Sequence, residues 1–284
     1  MPYSDYKKTV AFQGSEGANS HLVCKQNFPN AKYKAYETFD DVFVAVEKGE
    51  VDIGIIPIEN SHAGRVSEIH NLLKATELYI TGEFFLEIRH HLVGIKGTKI
   101  EEVTDVYSHP QALMQSSKNI RKLKLKKHSY LNTALAAASI KEQQDKSKAA
   151  LCSELAAEIN DLEILKPDLQ DSMNNRTVFV AIAREIDELS ASSDKKITTL
   201  LFTVRNIPAA IYKCLGGFAT NNINIIKLES YIPGGLSREA QFFISFEGNT
   251  EDGNVQLALE ELGFYSKSIK LLGVYDQAPE REKI

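Results

Sequence analysis

Three short polar loops follow strand-like segments of this sequence and could bind a small anion. They are residues 14–20, 59–64 and 108–111. Helices that begin in such loops offer free backbone N–H groups and the positive end of the helix dipole to a carboxylate or a phosphate. Residues of the same types also serve ordinary capping and turn structure, so the spacing alone leaves both interpretations open.

The sequence shows no pattern for a dinucleotide or a metal. Residues 14–20 read GSEGANS and lack the GxGxxG spacing of a dinucleotide loop. The seven histidines form neither HxxxH nor HExxH, and His90 and His91 would point to opposite faces of a strand. The three cysteines lie far apart without a CxxC pair, which favours free thiols over disulfides or zinc ligands. We therefore expect no metal site.

Composition limits the classes of partner. The chain has 284 residues and a formal net charge of −5, so it offers no basic surface to nucleic acid or to a membrane. Hydrophobic residues make up 43% and charged residues 25%, as in ordinary globular proteins, and this length favours about two domains. The N-terminus, MPYSDYKKTVAF, contains no signal-peptide stretch, and no run approaches the ~18 apolar residues of a membrane span. We expect a small-molecule ligand and a cytoplasmic location.

Alternating strands and helices must position the first two loops. The predicted strands are residues 8–13, 32–36 and 51–58. The last is a continuous apolar run, typical of a strand buried on both faces. Thr38 and Asp41 form a capping-box pattern for a helix, and Asn60 and Ser61 lie where the next helix cap belongs. This series predicts an α/β domain.

A second α/β lobe is predicted from the segments that follow. In the segments up to the linker, strands are expected at residues 79–95, 103–107 and 177–183, helices at 110–122 and 133–142, and a strand that turns into a helix at 149–157. Two lobes joined by crossing strands account for this order.

A polar segment rich in serine and acidic residues, 185–196, precedes a region with a different order of strands and helices. After it we expect strands at 197–204, 223–231, 240–246 and 266–275, helices at 208–220 and 255–262, and a Pro-Gly-Gly turn at 233–235. This βαββαβ order is the ferredoxin-like arrangement. We expect Pro208 to open the first of these helices and the charged tail to be frayed.

Motifs in and around the loops resemble those of the prephenate dehydratase family. They are PIENSHAGRV (57–66), VAFQGSEGANSH (10–21), YSHPQAL (107–113), LNTALAA (131–137), AALCSELAAE (149–158) and NNRTVFV (174–180). Their order is that of the family, and residues 197–276 resemble the ACT regulatory domain that follows the dehydratase in many members. The resemblance therefore covers nearly the whole chain.

The resemblance implies an α/β catalytic domain with two lobes, like the type II periplasmic binding proteins, and an active site in the cleft. It also implies a ferredoxin-like α+β ACT domain and no organic cofactor. The implied division is a catalytic domain at 1–185 with its second lobe at about 90–165, a linker at 186–196, an ACT domain at 197–276 and a charged tail at 277–284. The chorismate mutase domain that precedes the dehydratase in some members is not expected.

The implied reaction converts prephenate to phenylpyruvate, carbon dioxide and water. Prephenate carries two carboxylates and a ring hydroxyl, so a site has to anchor the molecule and help the hydroxyl leave. The resemblance assigns the main role to Thr177, as a hydrogen-bond donor to the departing oxygen. The other polar residues expected in the cleft are Ser20, Asn60, Ser61, His109, Gln111, Thr133 and Ser153.

The arginine of the family's TRF motif is replaced here by Val178. Residues two apart in a strand share a face, so Arg176 points to the same side as Val178. We expect Arg176 either to supply a substrate-binding guanidinium in that region or simply to be exposed.

The ACT resemblance implies feedback control by phenylalanine bound at a dimer interface, in a homodimer or a homotetramer. The residues that match the effector motifs are Ala209, Ala210, Ile211, Asn224, Glu229 and Ser230. Alanine replaces the family's glycine in the first motif, and Tyr231-Ile232 ends the second.

Two other functions fit the same motifs. Arogenate, whose side chain ends in an amino acid instead of a keto acid, is an alternative substrate that the sequence does not distinguish. A non-catalytic sensor of aromatic metabolites would keep the cleft without the TRF arginine, although the retained Thr177 argues against it. The missing signal sequence disfavours a periplasmic receptor, and the missing DNA-binding module disfavours a transcriptional regulator.

Overall fold

The computed structural model describes residues 3–189, 193–231 and 240–283. The chain divides into two compact units. The first unit contains Met1–Ile69 and Phe84–Phe179, and the second contains His70–Glu83 and Val180–Ile284. The domain boundaries expected from the sequence stay a prediction.

A six-stranded mixed sheet positions the first two polar loops. Its elements along the chain are β1 (Thr9–Gln13), α1 (Asn19–Asn27), β2 (Lys32–Tyr36), α2 (Phe39–Glu47), β3 (Ile53–Asn60), β4 (Gly64–Arg65), α3 (Ser67–Ala75) and β5 (Tyr79–Glu87), with the later strand β11 (Arg176–Ala183). The strand order is β2-β1-β3-β11-β5, and β4 pairs with β3. Since β1 runs parallel to β2 and β3, the carboxyl ends of these strands lie at one edge of the sheet.

In this region the structure contains the buried strand and the helix start that the local sequence patterns predict. Ile53, Ile55 and Ile56 of β3 are fully buried, as expected of a strand covered on both faces. The Thr38 hydroxyl accepts a hydrogen bond from the Asp41 N–H, and the Asp41 carboxylate accepts one from the Thr38 N–H. This confirms the capping box.

A five-stranded sheet carries the third polar loop. Its elements are β6 (His91–Gly94), a 3-10 helix (Ile100–Glu102), β7 (Asp105–Ser108), α4 (Pro110–Gln115), α5 (Ser117–Lys122), β8 (Lys126–Ser129), α6 (Thr133–Gln143), β9 (Lys148–Cys152), α7 (Glu154–Ile159) and β10 (Glu163–Lys166), in the strand order β10-β6-β9-β7-β8. The long predicted strand is interrupted before His91, and the predicted helix at 110–122 breaks at Ser116, whose ψ of 12° is not helical. The presence of two separate α/β sheets agrees with the expectation of two lobes.

The second unit contains the predicted βαββαβ order. Its elements are β12 (Lys196–Val204), α8 (Ala210–Thr220), β13 (Ile225–Tyr231), β14 (Gln241–Glu247), α9 (Gly253–Tyr265) and β15 (Ser266–Asp276), and the strand order is β13-β14-β12-β15. Phe202, Phe218 and Phe246 are buried in the core between this sheet and its helices. Ile232 and the Pro-Gly-Gly turn expected at 233–235 lie outside the described residues.

Two expectations for the second unit are wrong. Helix α8 begins at Ala210 and not at Pro208, because Ala209 has a left-handed φ of +57° that cannot continue a helix. The described part of the tail, up to Lys283, is not frayed, since Pro279–Lys283 form a 3-10 helix and Arg281 donates two hydrogen bonds to the buried carboxylate of Glu83.

The structure also bears on the state of the cysteines, on metal sites and on membrane-spanning helices. All three cysteines are buried free thiols, as the sequence predicts. Within the described ranges, no group of three or more His, Cys, Asp or Glu side chains could hold a metal ion. No helix among these residues has both the length and the apolar composition needed to cross a membrane.

Candidate active site

A cavity of about 440 Å³ lies in the first unit, where the polar loops meet. Six of the residues expected from the sequence line it: Ser20, Asn60, His109, Gln111, Thr133 and Thr177. A larger groove, of about 650 Å³, is lined by Ser153 and Phe85 but by none of those six. We therefore assign the candidate site to the smaller cavity.

Asn60 and Thr177 are in direct contact in the wall of this cavity. Asn60 Nδ2 donates to Thr177 Oγ1 at 2.9 Å, so the threonine oxygen is the acceptor. The hydroxyl hydrogen then has to point away from Asn60, where it can be donated to a molecule in the cavity. The Thr177 side chain is buried, which strengthens any hydrogen bond that it donates.

The turn after β3 holds Asn60 in one orientation. Asn60 Oδ1 accepts hydrogen bonds from the backbone N–H groups of His62, at 3.0 Å, and Ala63, at 2.9 Å. Because these donors fix the oxygen, the amide nitrogen faces Asn175 and Thr177. The backbone of the turn thereby sets the orientation of the Thr177 hydroxyl.

The hydrogen-bond network continues from Asn60 to three residues that the sequence analysis missed. Asn60 Nδ2 donates to Asn175 Oδ1 at 2.8 Å, and Asn175 Nδ2 donates to Gln115 Oε1 at 3.0 Å. His90 Nε2 lies 3.1 Å from the same Gln115 oxygen. Asn175, Gln115 and His90 all line the cavity.

Spacing offers a signal for two of the missed residues. Asn175 lies two positions before Thr177, so an extended chain presents both side chains on one face. Gln115 lies four positions after Gln111 in α4, which places the two glutamines one above the other on the helix. No local pattern in the sequence points to His90.

The N-termini of α1 and α6 open onto the cavity. Ser20 is the second residue of α1, and Thr133 is the first residue of α6. Asn132 caps α6 by accepting the Leu135 N–H at 2.7 Å. The first N–H groups of a helix have no partners within it, so both ends suit an anion.

Arg65 also lines the cavity and was not selected from the sequence. It follows Gly64, whose φ of +77° lets β4 turn back on β3 and pair with Asn60. Among the described residues that line the cavity, Arg65 is the only lysine or arginine. Its guanidinium therefore brings a positive charge to the cavity, which suits a carboxylate.

His109 and Gln111 lie at the start of α4. His109 Nδ1 accepts the Gln111 backbone N–H at 3.3 Å, so the imidazole caps the helix. Pro110 follows at the first helical position, where its missing N–H costs nothing. Both expected residues face the cavity, and His109 also has this structural role.

The expected helix cap at Asn60 and Ser61 is wrong, because β3 continues to Asn60 and α3 begins only at Ser67. Ser61 instead links the hairpin formed by β3 and β4 to the start of β11 by two hydrogen bonds. Its hydroxyl donates to the Asn174 carbonyl and accepts the Arg176 N–H, both at 3.0 Å. Ser61 is not among the residues that line the cavity.

Ser153 holds the glycine loop against α7. Its hydroxyl donates to the Gly17 carbonyl at 2.7 Å and accepts the Ala156 N–H at 3.1 Å. The approach is so close that a Cβ on Gly17 would lie 2.7 Å from Ala156 Cα. Ser153 lines the larger groove and not the cavity, whereas Gly14 and Ala18 of the loop that it holds line the cavity.

Arg176 lies next to the cavity residues in sequence but on the other face of β11. It shares that face with Val178, as expected, and its Cζ lies 5.9 Å from the centre of the Phe85 ring. Arg176 does not line the cavity, so the guanidinium found there belongs to Arg65.

The residues expected to bind the effector are distributed over the second unit. Ala209 occupies the N-cap position of α8, and Ala210 and Ile211 are the first two residues of the helix. The carbonyl of Asn224 accepts the Glu247 N–H. Glu229 lies opposite Phe243, further along the same strand pair. The structure therefore does not bring Asn224 and Glu229 together.

The carboxylate of Glu229 lies beside a buried histidine, His70. It lies 3.1 Å from His70 Nε2, without the alignment of a regular hydrogen bond, and 3.5 Å from Lys227 Nζ. His70 is the main reason that the pKa of Glu229 lies below its usual value, and Lys227 adds to the effect. Glu229 is therefore charged at neutral pH, and the adjacent Ser230 continues the strand.

Comparison with known proteins identifies the family. Residues 10–187 match the family model for prephenate dehydratase. The chain belongs to the prephenate dehydratase family. This confirms the dehydratase part of the resemblance, and the matched range contains every residue assigned here to the cavity.

Several relatives match almost the whole chain. The bifunctional N-acyl-homoserine lactone acylase/prephenate dehydratase of Komagataeibacter europaeus is 39% identical over 98% of this chain and 99% of its own length. Arogenate dehydratase 2 of Petunia hybrida is 36% identical over 94% of this chain and 71% of its own length. The structure of prephenate dehydratase from Arthrobacter aurescens in complex with L-Phe has a TM-score of 0.84 and 25% identity, and the match covers 95% of this chain and 90% of that one. The mixed α/β fold is therefore that of prephenate dehydratases.

Proposed function

We propose that the cavity converts prephenate to phenylpyruvate, carbon dioxide and water, a step in phenylalanine biosynthesis. The observation that carries this proposal is the Asn60–Thr177 contact, which leaves the threonine hydroxyl as a donor into the cavity. Membership in the prephenate dehydratase family supports the choice of reaction.

The driving force of the reaction lies in the substrate, because loss of carbon dioxide and of the ring hydroxyl makes the ring aromatic. The bond to the ring carboxylate breaks, its electron pair enters the ring, and the C–O bond of the hydroxyl breaks. The departing oxygen gains negative charge and takes up a proton to leave as water. A hydrogen bond from Thr177 stabilises that developing charge.

The carboxylates of prephenate need fixed partners, so that the leaving hydroxyl is held beside Thr177. The N-termini of α1 and α6 offer backbone N–H groups, with Ser20 and Thr133 beside them. Arg65 offers a guanidinium that can bind a carboxylate with two hydrogen bonds. Holding a substrate in a reactive orientation accounts for a large part of the rate enhancement of many enzymes.

Replacing Arg65 by methionine should raise the KM for prephenate about 10- to 100-fold, because a charge-assisted hydrogen bond to the substrate is lost. The value of kcat should fall much less, since Thr177 is untouched. Steady-state formation of phenylpyruvate measures both constants. Arg89→Met is the matched control, because Arg89 pairs with Glu87 and Asp168 outside this cavity. An unchanged KM in Arg65→Met would remove Arg65 from the anchoring site.

Turnover on both candidate substrates tests the proposed reaction. The purified protein is given prephenate and arogenate separately, and phenylpyruvate and phenylalanine formation are followed. A higher kcat/KM for prephenate supports the proposal, whereas the reverse order makes the protein an arogenate dehydratase. Binding of prephenate in calorimetry without turnover would leave the non-catalytic sensor.

We also propose that the ferredoxin-like part of the second unit is an ACT domain that binds phenylalanine and inhibits the enzyme. The complex of the Arthrobacter aurescens protein with L-Phe supports this choice of effector. In this chain Glu229 presents a charged carboxylate, which suits the ammonium group of an amino acid.

Phenylalanine should bind the wild-type protein in calorimetry, and Glu229→Gln should weaken that binding about tenfold or more, because the ammonium group loses its charged partner. Glu251→Gln, an exchange at an exposed residue outside the effector motifs, is the control and should bind as the wild type does. Absence of binding at millimolar phenylalanine would contradict the proposed effector, and equal binding by Glu229→Gln would remove that residue from the site.

We further propose a homodimer or homotetramer that works in the cytoplasm. The strands β13 and β15 lie at the edges of the four-stranded sheet, which makes them available for pairing between copies. The three free thiols suit a reducing compartment. Light scattering of the purified protein measures the number of copies, and a monomer at all concentrations would contradict the assembly.

A second candidate function is hydrolysis of an N-acyl-homoserine lactone, an activity named for the Komagataeibacter europaeus relative. It is favoured by a groove of about 520 Å³ that shares Gln111 and Gln115 with the cavity and is lined by Met114, an exposed side chain that could contact an acyl chain. Cys152 would not be the nucleophile of this hydrolysis at neutral pH, because burial raises the pKa of its thiol to about 12. Mass spectrometry of the fatty acid released from such a lactone tests the activity, and no release excludes it.

A further inference from the structure

We propose that His90 is a positioning residue that holds the Thr177 hydroxyl in its donating orientation. The inference rests on the proposed dehydration, since it assigns one more residue to that reaction. The connection runs through three amides, those of Gln115, Asn175 and Asn60. The imidazole is buried and lines the cavity at the far end of this network from Thr177.

Each hydrogen bond in the network fixes the direction of the next. Because two backbone N–H groups hold Asn60 Oδ1, the Asn60 nitrogen faces Asn175, which has to present its oxygen. Asn175 then presents its nitrogen to Gln115, whose oxygen has to accept it. The same oxygen lies 3.1 Å from His90 Nε2, so that nitrogen carries the ring hydrogen. Only one arrangement of the hydrogens satisfies all of these contacts.

His90 is suited to be a fixed donor at the end of this network. Its backbone N–H donates to Gln170 Oε1 at 2.9 Å, and its carbonyl accepts the Leu169 N–H at 2.7 Å, so the backbone that carries the ring is held in place. Burial lowers the pKa of His90, chiefly by desolvation, and the ring is therefore neutral at physiological pH. A neutral imidazole has a single N–H, which this residue directs at Gln115.

Loss of that donor would release the amides one after another. Gln115 could rotate its nitrogen towards Asn175, which would then turn its own nitrogen towards Asn60. Two amide nitrogens cannot hydrogen-bond to each other, so Asn60 would lose part of its hold on Thr177. The effect is expected in kcat rather than in KM, because the substrate carboxylates are anchored by other residues.

The test uses two exchanges of similar size at the same position. His90→Met removes the N–H and should lower kcat for prephenate about tenfold, the effect of one buried hydrogen bond, with KM nearly unchanged. His90→Gln keeps an amide N–H at a similar distance from the backbone and should restore most of the activity. His90→Met should add no further loss to Thr177→Val, because it acts through the hydroxyl that is already absent.

His128→Met is the matched control, since His128 pairs with Asp105 at 2.6 Å between β8 and β7 and is not among the cavity residues. Equal losses in His90→Met and His90→Gln, or a loss that adds to that of Thr177→Val, would overturn the inference. A fully active His90→Met would do the same. His90→Asn, whose amide reaches less far, replaces His90→Met if that variant does not fold. A folded wild-type protein without turnover would instead overturn the proposed function, whatever the His90 variants do.

Discussion

Replacing Thr177 by valine should lower kcat for prephenate by about 10²–10³-fold, the usual cost of removing one hydrogen-bond donor to a developing negative charge. Valine fills nearly the same buried space, but it has no hydroxyl to stabilise the departing oxygen. Asn60 Nδ2 keeps two acceptors, Asn175 Oδ1 at 2.8 Å and the Arg176 carbonyl at 3.3 Å, so the wall of the cavity should stay in place. KM should change little, and phenylpyruvate formation measures both constants.

Two variants show whether the hydroxyl is responsible for this loss. Thr177→Ser keeps the oxygen and removes only a methyl group, so it should retain most of the turnover. Thr203→Val makes the same exchange at a buried threonine of β12, whose hydroxyl accepts from Gln241, and should leave kcat unchanged. If Thr177→Val and Thr177→Ser were equally active, the hydroxyl would not be the donor. Circular dichroism checks that each variant is folded.

The elements that surround the cavity could be predicted because their signals are local. Lys32–Tyr36 forms the strand that its residues favour, and the Thr38 and Asp41 pattern needs only four consecutive residues to specify a helix start. The βαββαβ order of the second unit likewise follows from periodicity and turn residues. Motifs indicate Asn60 and Thr177 as candidate site residues, but a motif does not describe the geometry of a site.

The remaining members of the hydrogen-bond network could not be found in this way. Asn60 and Asn175 are 115 positions apart in the chain, and His90 and Gln115 are 25 apart, so only the fold brings each pair into contact. A buried histidine is also a common structural residue, and its type alone does not reveal which nitrogen carries the hydrogen. The direction of each bond follows from the coordinates of its neighbours.

The wrong helix cap at Asn60 shows a limit of local chemistry. An asparagine that accepts backbone N–H groups two and three residues later occurs both at helix starts and in turns. In this chain the two donors, His62 and Ala63, belong to a hairpin that Gly64 closes with a φ of +77°. Asn60 therefore makes in a hairpin turn the hydrogen bonds that the sequence pattern assigns to a helix start.

The C-terminal tail was mispredicted because its partner is distant in sequence. Charged residues at a chain end usually remain in solvent, which made a frayed tail the natural expectation. Glu83, however, lies buried in β5, and Arg281 donates to both of its carboxylate oxygens at 2.6 Å. The Ala278 N–H donates to the same carboxylate at 3.1 Å, so the tail is tied down at two points.

Replacing Arg281 by alanine should lower the free energy of unfolding by about 3 kcal/mol, because it leaves the Glu83 carboxylate buried without a counter-charge. Only 1% of the Glu83 side chain is exposed, so water cannot replace the two lost donors without disturbing the packing. The Arg281 side chain is 21% exposed, so some water can reach the ion pair. The expected loss of stability is therefore near the lower end of the range for buried ion pairs that lose one partner. Urea unfolding followed by circular dichroism, at equal protein concentrations, measures the change.

A second exchange at the partner separates this charge effect from lost packing. Glu83→Gln combined with Arg281→Ala removes the buried charge and should recover a large part of the stability, because a neutral amide costs less to bury than an unpaired carboxylate. Arg121→Ala, at an exposed position of α5, should change the free energy of unfolding by no more than about 0.5 kcal/mol. If the double variant were as unstable as Arg281→Ala alone, the stabilisation would come from the packing of the arginine stem, and the ion pair would contribute little.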